Sequence, residues 1–148
     1  MKKILLIVTL ALLMMLFAAA CEPDQEAGPI LSEEKEFEEA EYIKLAPEEA
    51  KEMMDTMDVI VVDVRTEEEF IQGHIEGAVL IPDYDLDKLA AEMLPDKEAT
   101  ILLYCRSGNR SKLASHLLIG MGYQNVYDFG GILDWRFGEV QGEPAGQN

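Results

Sequence analysis

The chain has 148 residues, enough for one domain and short for two. Lys and Arg total 12 against 29 Asp and Glu, a formal net charge of −17, which argues against non-specific binding of nucleic acid or of an anionic membrane surface. Two cysteines, Cys21 and Cys105, with His74 and His116 as the only histidines, supply neither a disulfide framework nor a four-ligand zinc site; no metal or other cofactor is expected.

Lys2 and Lys3 precede an apolar run from Ile4 to Ala20, interrupted only by Thr9. Seventeen residues fall short of the roughly 20 that a spanning helix needs. A basic start, an apolar middle and a small-residue end, Ala18-Ala19-Ala20, make residues 1–20 a secretory signal. The cysteine directly after it, Cys21, resembles the lipobox cysteine of bacterial lipoproteins, although Ala18 stands where that family usually has Leu. That resemblance implies a diacylglyceryl anchor on Cys21 and a domain on the outer face of the cell membrane. An ordinary cleaved signal, leaving a periplasmic or extracellular protein, and an uncleaved N-terminal anchor fit the same residues. All three readings export the domain. Cleavage would remove Lys2 and Lys3 and take the net charge from −17 to −19. Residues 21–41 then carry nine acids from Glu22 to Glu41 against the single Lys35, with few large apolar groups. Such a segment buries too little to fold alone, and self-repulsion extends it into an acidic tether.

From Tyr42 onward, strand and helix patterns alternate. Tyr42–Leu45 reads as a short edge strand, and Pro47 suits the first turn of a helix. Ala50, Met53, Met54 and Met57 then recur on one helical face. Val59–Val62 is a β-branched run suited to a strand buried on both sides. Thr66 and Glu69 form a capping box that opens a short helix through Ile71, ended by Gly73. Ala78–Ile81 is the third strand, closed by Pro82. Leu86, Leu89, Ala90, Met93 and Leu94 mark the next helix, stopped by Pro95. Ile101–Tyr104 is the fourth strand and runs straight into Cys105. A helix over Ser111–Met121 is expected to turn Leu113, Ala114, Leu117 and Leu118 inward, with Gly122 as its stop. Val126–Phe129 is the last strand, before Gly130-Gly131 and a short element carrying Trp135. The fold class is therefore α/β, a mainly parallel central sheet with helices on both faces. Residues 138–148 are expected to form a frayed, flexible tail.

The stretch with chemistry is Cys105-Arg106-Ser107-Gly108-Asn109-Arg110-Ser111, between a buried strand and a helix start. Ligands in open α/β sheets bind beyond the carboxyl ends of strands. A loop rising into a helix N-terminus aims several N–H groups at one spot, and the helix dipole adds positive potential there. Gly108 permits the backbone angles such a cradle needs. A cysteine at its base is expected to lose its proton more readily than a free thiol. Arg106, Arg110 and Lys112 gather positive charge within seven positions of an acidic chain, which points to a small anionic ligand. A plain buried cysteine followed by a helix cap would leave the glycine, the flanking arginines and an exported free thiol unexplained.

At these residues the chain resembles a family. Residues 42–137 are similar to a single-domain rhodanese through Val62-Asp63-Val64-Arg65 with Glu69-Phe70, Gly73-His74-Ile75-Glu76-Gly77-Ala78, the Cys105–Ser111 loop, and Gly130-Gly131 with Trp135. The resemblance implies a rhodanese-like fold and a thiosulfate sulfurtransferase. The donor would be thiosulfate or a related small sulfane-sulfur anion, Cys105 the persulfide carrier, and a thiol or cyanide the acceptor. Arg106, Ser107, Gly108, Asn109, Arg110 and Ser111 would bind the substrate, the two arginines attracting the dianion and the amides holding thiolate and persulfide. Asp63 and Arg65 would support the loop, Arg65 by pairing with Glu68 or Glu69. His74 reads as a hydrogen-bonded packing residue, and Trp135 as either pocket roof or core.

Two other functions fit parts of this pattern. Cell-cycle phosphatases use a related fold with five residues between cysteine and arginine; here four stand between Cys105 and Arg110, a loop that suits sulfur and crowds a phosphoryl group. A non-catalytic sulfur-binding or docking module is the second alternative, and the retained cysteine and intact loop favour catalysis over it.

Overall fold

A computed structural model describes residues 40–144. The expected export signal, Cys21 and nearly all of the acidic tether lie outside the described residues. Among the described residues no helix is long and apolar enough to cross a membrane.

Five strands, β1 (Ile43–Lys44), β2 (Ile60–Asp63), β3 (Val79–Leu80), β4 (Thr100–Cys105) and β5 (Asn125–Gly131), form one sheet in the order β1-β5-β4-β2-β3. Every pairing is parallel. Four helices connect them: α1 (Pro47–Thr56), α2 (Glu67–Gln72), α3 (Leu86–Met93) and α4 (Asn109–Gly120). A 3-10 turn (Ile132–Asp134) follows β5. Parallel neighbours need crossovers, and the helices supply them while covering the sheet.

Alternation along the central strands divides the core in two. Val62, Ile101, Leu103 and Cys105 join Leu86 and Ala90 of α3, Leu94 just past its end, and Ala114 and Leu118 of α4 on one side. Val61, Leu102, Tyr104 and Phe129 join Ala50 of α1 and Phe70 of α2 on the other. Successive side chains of a strand face opposite ways, so a strand buried on both sides reads as an unbroken apolar run. Val59–Val62 and Ile101–Tyr104 are such runs, and both lie in central strands displaced by at most one residue.

Several local expectations are corrected. The third strand shrinks to Val79–Leu80, because it pairs only with β2 at the sheet edge. Gly130 and Gly131 belong to β5 rather than to a turn after it. Met57 lies past the end of α1 and is 51% exposed. In α4, Leu113 and Leu117 face solvent, and the buried stripe is Ser111, Ala114, Ser115 and Leu118. Small side chains on that stripe let the helix lie close to the sheet. The Ser115 hydroxyl is satisfied within the helix, donating to Ser111 O at 2.9 Å, and that of Ser111 donates to Asp128 of β5 at 2.7 Å. The tail is docked through residue 142 rather than frayed. His74 and Val140 exchange two backbone hydrogen bonds of 2.8 Å, and Gly142 N–H donates to Ile71 O at 3.3 Å. Residues 145–148 lie outside the described ones.

Candidate active site at the end of strand β4

β4 delivers Cys105 to the carboxyl edge of the sheet, and the chain turns through Arg106, Ser107 and Gly108 into α4. Gly108 holds φ +96° at the helix N-cap, a left-handed angle that favours glycine. The turn leaves its amides pointing back at the cysteine. Gly108 N–H donates to Cys105 Sγ at 3.1 Å. Burial pushes the thiol's pKa up, but hydrogen bonds from Ser111 and from the Ser107 and Gly108 amides outweigh it and bring it below the ordinary thiol value. The Ser111 hydroxyl lies close enough to serve the sulfur, yet it has one proton. Its nearest acceptor is the Asp128 carboxylate, at 2.7 Å, and a charged acceptor at that distance wins. Ser111 therefore supports the sulfur through its amide.

The loop fits because β5 makes room for it. Pairing of β5 with β4 slips between Leu103 and Tyr104, so that Leu103 faces Asp128 while Tyr104 faces Gly130. This bulge turns the strand end and brings Gly131 beside the loop. A Cβ at Gly131 would stand 2.4 Å from Arg106 O and 2.6 Å from Ser107 Cα, which no side chain tolerates.

Cys105 is only 1% exposed and sits on the floor of the loop, whereas Arg106, Ser107 and Asn109 above it are exposed. Beside the loop opens a cleft of about 400 Å³, lined by Arg106, Arg65, Glu69, Trp135, Leu133 and Glu139 among others. Arg106 makes no ion pair among the described residues and brings a guanidinium to a cleft that Glu139 also lines. Arg110 differs: its Nη1 and Nη2 donate to the two Glu69 carboxylate oxygens at 2.8 and 2.9 Å. That bidentate pair holds Glu69 below the usual carboxylate range and raises Arg110. The same Glu69 completes the capping box, accepting from Thr66 N at 3.2 Å while its own N–H reaches Thr66 Oγ1 at 3.3 Å. The α2 cap and the active-site loop are thus joined through one carboxylate.

The expected partner of Arg65 is corrected as well. It lies not on Glu68 or Glu69 but on Asp63, through Nε at 3.0 Å and Nη2 at 2.6 Å, with Nη2 also reaching Gly73 O at 2.7 Å. Both side chains are buried, and a buried pair demands such complete hydrogen bonding. The Asp63–Arg65 unit, with Arg65 5.5 Å from the Tyr104 ring centre, braces the β2 end. His74 packs face to face on Phe70, with Nδ1 2.9 Å from Phe70 O. Trp135 does both things expected of it: it lines the cleft and packs on Phe129 in the core. The sequence reading missed Asp128, a fully buried carboxylate behind the loop; an acid within the strand run Val126–Phe129 was the available signal.

The comparisons agree with this geometry. Residues 46–137 match the family model described as a rhodanese-like domain. The chain is 37% identical over 81 residues to thiosulfate sulfurtransferase PspE of Escherichia coli, covering 55% of this chain and 78% of that protein. It is 36% identical over 111 residues to a tRNA uridine(34) hydroxylase of Photorhabdus laumondii, covering 71% of this chain but only 31% of that longer protein. Among solved structures, a rhodanese with anions from E. coli superimposes with a TM-score of 0.55 at 35% identity, over 57% of this chain and 100% of that one. A thiosulfate sulfurtransferase from Pseudomonas aeruginosa shares the fold, with a TM-score of 0.63 at 24% identity, over 70% of this chain and 21% of that one. With a five-stranded parallel sheet, a cysteine loop at its carboxyl edge and a family model spanning all but the first strand, the chain belongs to the rhodanese-like domain family.

Proposed function

We propose that the protein is a sulfurtransferase that moves sulfane sulfur from thiosulfate, or a related small anion, to a nucleophilic acceptor through a persulfide on Cys105. The observation that carries this reading is a sulfur ringed by loop amides at the N-terminus of α4, with its pKa held below that of an ordinary thiol. The relative named thiosulfate sulfurtransferase supports it. In the first half-reaction the Cys105 thiolate attacks the outer sulfur of thiosulfate. The new S–S bond forms as the old one breaks, and sulfite leaves with the bonding electron pair. In the second, cyanide or a thiolate attacks the terminal sulfur and the thiolate returns. No proton has to move at the carbon-free reacting centre, so a pre-ionised thiol needs no general base. The amides stabilise the anion in both resting forms. Arg106 draws the dianion to the loop, and Ser107, Gly108 and Asn109 line its path; Ser111, fully buried, serves the sulfur through its amide, and Arg110 acts while paired with Glu69. Export by residues 1–20 and lipidation of Cys21 place this chemistry at the outer membrane face in our reading. The intact mass of the mature protein tests it, with a diacylated Cys21 expected at the N-terminus.

One observation favours a second reading. Cys105 is 1% exposed, so a sulfur held on it would be shielded from the second nucleophile, as in a sulfur-binding module without turnover. Steady-state thiocyanate production from thiosulfate and cyanide separates the two. Multiple turnovers that vanish in Cys105→Ser support the transferase; a single sulfur taken up and never released supports the module.

A further inference from the structure

Between β1 and the cysteine loop lies a polar cluster that the chemistry above leaves unused. Asp128 of β5 is fully buried, and both of its oxygens are doubly engaged. Oδ1 accepts from Ser111 Oγ at 2.7 Å and from Gly130 N–H at 2.8 Å. Oδ2 accepts from Tyr42 OH at 2.7 Å and from Lys44 Nζ at 3.1 Å. One carboxylate thereby ties the first turn of α4, the β5 bulge and the edge strand together. The same charge stands one residue behind the sulfur, where it opposes a thiolate.

Lys44 answers that charge from the right place. Its Nζ lies 3.0 Å from where a Cβ of Gly130 would stand and 3.6 Å from that of Gly108, and the Gly108 amide is itself a donor to Cys105 Sγ. Its side chain is 49% exposed, so the ammonium keeps partial solvation while reaching a buried partner. We propose that Asp128 is the positioning residue of the thiolate cradle, and that Lys44 is the counter-charge that lets a buried carboxylate hold the loop without suppressing ionisation of Cys105. The inference uses the reading of Cys105 as a reactive thiolate and deepens it.

The other charged or titratable groups around the site are Arg106 in the loop, Arg110 and Lys112 of α4, Glu69 of α2, and Asp83 after β3. The Asp63–Arg65 unit at the end of β2, Tyr42 before β1, His116 stacked on Tyr42, and Glu139, which lines the cleft with Arg106, also surround it. Lys44→Met and Lys44→Arg leave the partners of all of these in place, whereas a change at Asp128 also alters the acceptor of Tyr42 OH, so the Lys44 variants carry the comparison.

The test is the pH profile of Cys105 alkylation by iodoacetamide in the full chain, read on the Cys105 peptide by mass so that Cys21 does not contribute. Lys44→Met is expected to raise the apparent thiol pKa by roughly half a unit or more, about threefold less thiolate below the pKa. Lys44→Arg is expected to keep the native profile. Asp128→Asn is expected to lower the pKa, since it removes the opposing charge and leaves the ammonium unpaired. A purely structural role would move the thiol pKa the same way in Lys44→Met and Asp128→Asn, whatever the melting temperatures. That result, or an unchanged profile in Lys44→Met, overturns the proposal. If Asp128→Asn does not fold, the Lys44→Met and Lys44→Arg comparison still decides. Opposed shifts without sulfur transfer would sink the transferase reading and leave this one standing; transfer without the shifts would do the reverse.

Discussion

Burial ordinarily makes a cysteine inert, because a thiolate loses its hydration. At Cys105 the lost water is replaced by fixed amide dipoles, and the balance falls on the side of the anion. Sulfur uptake is therefore expected to persist at pH values where a free thiol is mostly protonated, and to decline only as pH falls through the lowered pKa. A log-rate profile measured with thiosulfate checks this; a midpoint at or above that of free cysteine would contradict it. The linkage has the same sign: a folded-state pKa below the unfolded one contributes stability that is present above the unfolded value and is lost as pH falls through the folded one. Glu69 behaves likewise in the carboxylate range, held down by Arg110. Glu69→Gln isolates that pair, because Gln preserves the capping box while releasing the arginine. It is expected to lower the KM for thiosulfate several-fold by adding a free cation beside Arg106, and an unchanged KM would mean that Arg110 does not face the donor.

The loop's shape depends on elements that do not touch the substrate. A methyl group at Gly131 would meet the Arg106 carbonyl and Ser107, so Gly131→Ala must push the loop off the β5 bulge. Such overpacking costs about 1–3 kcal/mol, and activity is expected to fall further than the melting temperature suggests. Urea denaturation alongside thiocyanate turnover measures both. Leu118→Ala in α4 is the contrast: a fully buried leucine whose loss costs about 2–5 kcal/mol while the surviving folded fraction keeps its activity. The same elements explain what the sequence made legible. Central strands and the α2 capping box were readable because apolar runs and the Thr66–Glu69 spacing follow from local rules. The phase of α4 was not, because leucine is a poor guide where small residues permit closer packing: Ser111, Ala114 and Ser115 are inward. The partner of Arg65 and the role of Asp128 were hidden for another reason. Both depend on tertiary register, the first on how Gly73 returns to β2 and the second on a bulge that no spacing announces.

At the scale of the whole molecule, the chain's charge of −17 works against its own proposed substrate. A dianion approaching an acidic protein is repelled at long range, and the local positive potential of the loop acts only close in. Raising ionic strength shortens the reach of that repulsion. The KM for thiosulfate is therefore expected to fall between about 20 and 200 mM salt, where the Debye length contracts from roughly 20 to 7 Å. A KM that rises with salt would show that Arg106 governs the encounter instead. The most direct check of the whole account is the mass of the Cys105 peptide before and after exposure of the protein to thiosulfate, and again after cyanide. Cys105 is expected to gain a single sulfur atom and to lose it to cyanide; an unmodified peptide from a folded protein, at any pH, would rule out the persulfide.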